Sequence, residues 1–188
     1  MKQFGISATL ISFVGLIMIF SSGISFSGKI NINATAQNIL KRCATDLNCY
    51  NNEFAELTLE EDFTDAAKVL FAAQLLNQDL RQCHKLAHVI SSTAVRENPD
   101  SWKNLLKNSD LRMETCSGGF LHGVLEGYMA SNPNFVISPE FIMDACDGLN
   151  RVSANACAHG FGHILHLQFQ GDFSAAAATC SQLDHFSY

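Results

Sequence analysis

Three times in this chain a cysteine stands just ahead of a histidine. Each histidine is followed four residues later by another residue able to ligate a metal. The segments are Cys83-His84 with His88, Cys116 with His122 and Glu126, and Cys157 with His159 and His163. Four residues is slightly more than one helical turn, so the two members of each pair project from one face of a helix. The spacing points to three helices carrying paired ligands, and to a metal site where they meet.

The rest of the chain is consistent with helix throughout. Gly and Pro are sparse between Ala34 and Arg112, and β-branched runs are few. The apolar residues Ala66, Ala67, Val69, Leu70, Ala73 and Leu76 follow a helical period over Thr64 to Leu76. Further helices are expected over Ala36 to Ala44, Asp79 to Glu97, Asp100 to Lys107 and Glu114 to Ala130. Ser138-Pro139 reads as an N-cap followed by a proline at the first helical position, opening a helix to about Asp147. Ser153 is expected to cap a helix to about Gln170, and Ser174 to His185 forms the last. The expected fold class is all-α: antiparallel helical hairpins in a small bundle or array, held by disulfides. Cysteine spacings of 33, 41 and 34 residues suggest a loose internal repeat of stacked hairpins.

The first residues set the compartment. Lys2 precedes an apolar stretch from Phe4 to Phe20, and small and polar residues follow to Gly28. This is the layout of a secretory signal peptide over residues 1–27, with an uncleaved N-terminal membrane anchor as the alternative. Either way the remainder lies outside the cytoplasm, secreted or tethered. It divides into an N-terminal segment with a short helix, 28–62, and a Cys/His-rich helical domain, 63–188. The net charge of −6 argues against nucleic acid as a partner, and any membrane contact is left to the N-terminal segment.

Seven cysteines in an extracytoplasmic chain are expected to be mostly paired. The expected bonds are Cys43–Cys49, Cys83–Cys116 and Cys146–Cys157, with Cys180 left over. If the unit repeats, Cys180 should find a partner about eleven residues on, past Tyr188, so the chain reads as ending within a unit. The cysteines ahead of the histidines are read as staples for the helix starts rather than as soft metal ligands.

His84, His88, His122, Glu126, His159 and His163 are the candidate metal ligands. Imidazole suits zinc, copper or iron, and a carboxylate beside it widens the choice. Glu126 is alternatively a general base acting on a bound water. His166 lies one turn beyond His163 and is read as a support for the ligands or as core. Glycines flank the ligands at Gly118, Gly119, Gly123, Gly127, Gly160 and Gly162. Glycine in a helix costs roughly 1 kcal/mol relative to alanine. Its repetition here points to a helix or ligand close against the backbone.

There is no Cys-x-x-Cys-His for covalent haem, no His-Glu-x-x-His, no Gly-x-Ser-x-Gly, no phosphate loop and no dinucleotide fingerprint. Two function classes stay open. One is an extracytoplasmic transition-metal protein, enzyme or carrier. The other is a disulfide-stapled helical-repeat module that binds a protein partner, its His/Glu cluster metal-free and structural.

Overall fold

A computed structural model describes residues 30–78, 80, 82–107, 115–149 and 151–182. The expected signal or anchor over 1–27 lies outside them, as does the expected end of the last helix. Among the described residues there are nine α-helices and no strand. They are α1 (Ile32–Cys43), α2 (Leu47–Glu60), α3 (Phe63–Leu76), α4 (Cys83–Glu97), α5 (Trp102–Lys107), α6 (Gly119–Ser131), α7 (Pro139–Cys146), α8 (Arg151–Gln168) and α9 (Phe173–Cys180). None is long and apolar enough to cross a membrane.

Side-chain caps start most of these helices. Asn31, Asp46, Asp62, Ser138 and Asp172 each accept a hydrogen bond from a first-turn amide of α1, α2, α3, α7 and α9. Each such cap is worth about 1 kcal/mol. Several local outcomes differ from the sequence reading: α1 begins at Ile32 rather than Ala36, α4 at Cys83 rather than Asp79, and α5 at Trp102 rather than Asp100. Helix α2 was not expected. Its buried face, Tyr50, Phe54, Leu57 and Thr58, has helical spacing, but Asn48, Asn51 and Asn52 dilute the pattern. Helix α8 begins at Arg151, so position 153 lies inside it rather than at its start. Helix α9 is capped by Asp172, two residues before the expected start. Helix α6 does not run from Glu114. A short 3₁₀ segment, Thr115–Gly118, precedes it, and Cys116, Ser117 and Gly118 have φ of 58°, 51° and 81°. That left-handed turn interrupts any continuous helix, at a cost of roughly 1–2 kcal/mol for each residue bearing a side chain.

Three disulfides staple the array. Cys43–Cys49 joins α1 to α2, Cys83–Cys116 joins the start of α4 to the turn before α6, and Cys146–Cys157 joins α7 to α8. Two buried cores result. The first gathers Phe54, Leu70, Leu86 and Ile90 from α2, α3 and α4, with Phe120 of α6. The second gathers Val95 of α4 with Trp102, Leu125, Ile142, Phe161 and Leu165. Helices α4 and α6 contribute to both cores and form the seam between them.

That seam is closed by glycine. Gly119, Gly123 and Gly127 recur every fourth residue along one face of α6. A Cβ at Gly119 would stand 2.5 Å from the His84 carbonyl oxygen, and one at Gly123 would stand 2.6 Å from that of His88. At Gly127 it would stand 2.9 Å from Ser92 Cα. Helix α4 answers with Ala87 and Ser91, both fully buried. The two backbones therefore approach more closely than any side chain on that face of α6 would allow.

Replacing Gly123 by Ala is expected to lower stability by about 1–3 kcal/mol, because the obstacle is backbone that cannot move aside. Gly162→Ala in α8 is the control. Its Cβ would meet nothing within 4 Å, and the helix should gain about 0.5–1 kcal/mol. Urea unfolding of both variants checks the pair.

Candidate metal centre

Helix α4 presents His84 and His88 one turn apart. Their Nε2 atoms lie 3.0 Å from each other. Each ring is turned by a hydrogen bond at its other nitrogen. His84 Nδ1 is 2.8 Å from the Cys116 carbonyl oxygen, and His88 Nδ1 is 2.9 Å from Glu126 Oε2. Carbonyl and carboxylate oxygens only accept, so both Nδ1 atoms donate. A neutral imidazole carries one ring proton. Both Nε2 atoms therefore present lone pairs to the same point. Such a contact is repulsive unless a proton or a cation sits between them. Two nitrogens bound to one tetrahedral ion at about 2.0–2.1 Å stand roughly 3.3 Å apart, so this pair is close to a chelating bite.

Helix α6 brings His122 onto the pair. Its ring centroid is 5.2 Å from that of His84 and 5.4 Å from that of His88. Ligand atoms of His84, His88 and His122 all fall within 4.8 Å of one another. Gly119 and Gly123 make this possible, because His122 lies between them on the helix that they let approach α4. His122 is 4 % exposed, and its Nε2 is buried without a hydrogen-bond partner. An unsatisfied buried nitrogen costs about 1–3 kcal/mol unless something binds it.

Helix α8 supplies the third pair. His159 Nε2 and His163 Nε2 are 3.1 Å apart, and both residues are exposed. The His122 ring lies 5.3 Å from His159 and 5.2 Å from His163. Gly160 makes room for it: a Cβ there would stand 2.8 Å from His122 Cδ2. Gly162 has no such neighbour, and Gly118 serves the left-handed turn. Apart from Gly162, the glycines around the histidines thus have three different physical reasons.

Burial is the main reason that the His122 ring loses its proton easily, with its pKa pushed down to about 4; the charges of His88, His84, His163 and His159 push the same way. His163 is lowered too, first by burial and then by His159. For Glu126, burial acts upward. The hydrogen bond from His88 and the charges of His88, His122 and His163 outweigh it and hold the carboxyl below its ordinary value. An ionised Glu126 is suited to orienting the imidazole of His88 that it holds.

The structure thus places five of the six expected ligands in one group of rings, with Glu126 hydrogen-bonded to His88. His166 is placed differently: it stacks on Phe173 of α9, with centroids 4.3 Å apart. Its Nδ1 is buried without a partner. The cysteines ahead of His84 and His159 are in disulfides, so they offer no thiolate. Cys43, Cys49 and Glu53 also cluster, but there too the sulfurs are bonded to each other. Cys180 is the free cysteine among the described residues. The Cys116 carbonyl that orients His84 was not foreseen, and no side-chain pattern signals it. No family model, no curated protein and no solved structure matches this chain.

The pH dependence of stability follows from His122. Without metal, the folded chain keeps this ring neutral to about pH 4, whereas an unfolded histidine takes up a proton near 6.5. The unfolded state therefore binds more protons across that window. Stability is full above it and falls by up to about 3 kcal/mol as pH drops through it. Glu126, with its lowered pKa, adds a loss at the acid end. Urea midpoints measured in chelator from pH 7 to 4 should fall steadily and should flatten in His122→Phe. An unchanged wild-type midpoint contradicts a neutral buried ring.

Proposed function

We propose that this is an extracytoplasmic transition-metal-binding protein whose ion is held by His84, His88 and His122. The observation that carries the reading is the pair of Nε2 lone pairs on α4, 3.0 Å apart and held there by acceptors at both Nδ1 atoms. A cation resolves that juxtaposition. Three disulfides support an oxidising compartment. On this reading residues 1–27 export or tether the chain, and the Cys/His-rich unit from 63 onward carries the centre. An all-imidazole donor set suits zinc, copper or iron.

Three protein ligands leave a fourth position, as in catalytic zinc sites. A cleft of about 320 Å³ lined by His84, His88, Val89, Ser92 and Glu126 opens beside the pair. Glu126 also lines a neighbouring apolar cleft of about 450 Å³ with Met129, Phe135, Val136, Ile164 and Leu167. Its role here is to orient His88, and its place at both clefts makes it the general base if the centre is hydrolytic.

The test is metal analysis of the full chain purified without a histidine tag. The protein should retain or acquire a transition metal, and His84→Ala/His88→Ala should lose the α4 position. Glu126→Gln should weaken binding about 10–100-fold by removing the anionic acceptor of His88. Native helicity with no bound or acquired metal overturns the proposal. It would favour instead a metal-free cluster in which one shared proton holds the α4 pair.

A further inference from the structure

We infer that His159 and His163 form a second metal position on α8, and that both positions share the ring of His122, so that the loaded protein holds two ions joined by one imidazole. This deepens the proposed function and rests on the α4 pair being a metal position.

Three observations carry it. The α8 pair repeats the α4 pair: spacing of four residues, Nε2 atoms 3.1 Å apart, close to the roughly 3.3 Å that two ligands of one tetrahedral ion require. Each pair therefore closes on its own point. A tetrahedral ion has four positions, too few for five imidazoles. Second, the His122 ring lies at similar distances from both pairs, with centroids 5.2 and 5.4 Å from the α4 histidines and 5.3 and 5.2 Å from the α8 histidines. Third, an edge of the ring faces α8: a Cβ built on Gly160 would stand 2.8 Å from His122 Cδ2 and 3.6 Å from Nε2, which is buried and unpartnered. Gly160 thus keeps a recess into which the ring projects. A ring held between two histidine pairs, with a bare buried nitrogen, is the group the two positions can share.

The chemistry balances simply. Neutral His122 binds one ion through the nitrogen that lacks a proton. Ligation of a second ion through the other nitrogen releases that ring proton to solvent. The resulting imidazolate carries one negative charge, which offsets part of the charge of two dications. No oxidant or reductant is needed. His159 and His163 are exposed, so an ion in solution reaches the α8 position without unfolding the seam.

The experiment is titration of the full chain with Cu(II), read by bound equivalents and by electron paramagnetic resonance. Wild type should bind two equivalents, with the signal attenuated by coupling through the shared ring. His159→Ala/His163→Ala changes an exposed face and should keep native circular dichroism. It should bind one equivalent and show one full, isolated Cu(II) signal. His84→Ala/His88→Ala should also bind one. A single equivalent in wild type, retained by the α8 variant and lost from the α4 variant, overturns the second position and leaves the first reading standing. A single equivalent lost from both variants likewise overturns it, in favour of one ion held by all the rings. Two equivalents with uncoupled signals overturn the shared ring. No binding at all overturns both readings.

Discussion

The close approach of α6 to α4 is the contact on which everything else depends. Three glycines on one face of α6 meet α4 backbone and small side chains, at distances a Cβ would not tolerate. Helical glycine costs roughly 1 kcal/mol relative to alanine, so this stripe costs a few kcal/mol in intrinsic propensity. What it returns is position. With α6 this close, His122 reaches His84 and His88, and Glu126 reaches His88. The same helix face that brings two cores together at a seam puts the polar cluster at that seam.

The second layer of the design is orientation. Cys116 is disulfide-bonded to Cys83, the residue just before His84, and its carbonyl accepts from His84 Nδ1. The staple therefore fixes both the start of α4 and the acceptor that turns its first imidazole. Glu126 turns the second. Their combined effect is to commit both Nε2 lone pairs to one point. Burial and the neighbouring rings keep His122 neutral, so its nitrogens remain available near neutral pH.

Much of this was legible in residues and spacing, and the exceptions have physical causes. The all-helical class followed from period and from caps such as Ser138-Pro139. Histidines four apart on a helix had to share a face, and glycines between them signalled close approach, which Gly123 and Gly160 show in different ways. Helix α2 escaped because asparagines dilute its apolar period, although Asp46 marks its start. The break before α6 escaped because left-handed φ at Cys116 and Ser117 has no side-chain signature. The orienting role of the Cys116 carbonyl depends on that break, so it was equally hidden. His166, read as a support for the ligands or as core, stacks on Phe173 in the α8–α9 contact.

X-ray absorption at the zinc edge of the zinc-loaded full chain tests the central claim most directly. Histidines from α4, α6 and α8 as the ligands, with six cysteines paired as staples, predict about three imidazoles per zinc at roughly 2.0–2.1 Å and no sulfur. Sulfur scattering at about 2.3 Å, or fewer than two imidazoles per ion, would contradict the account.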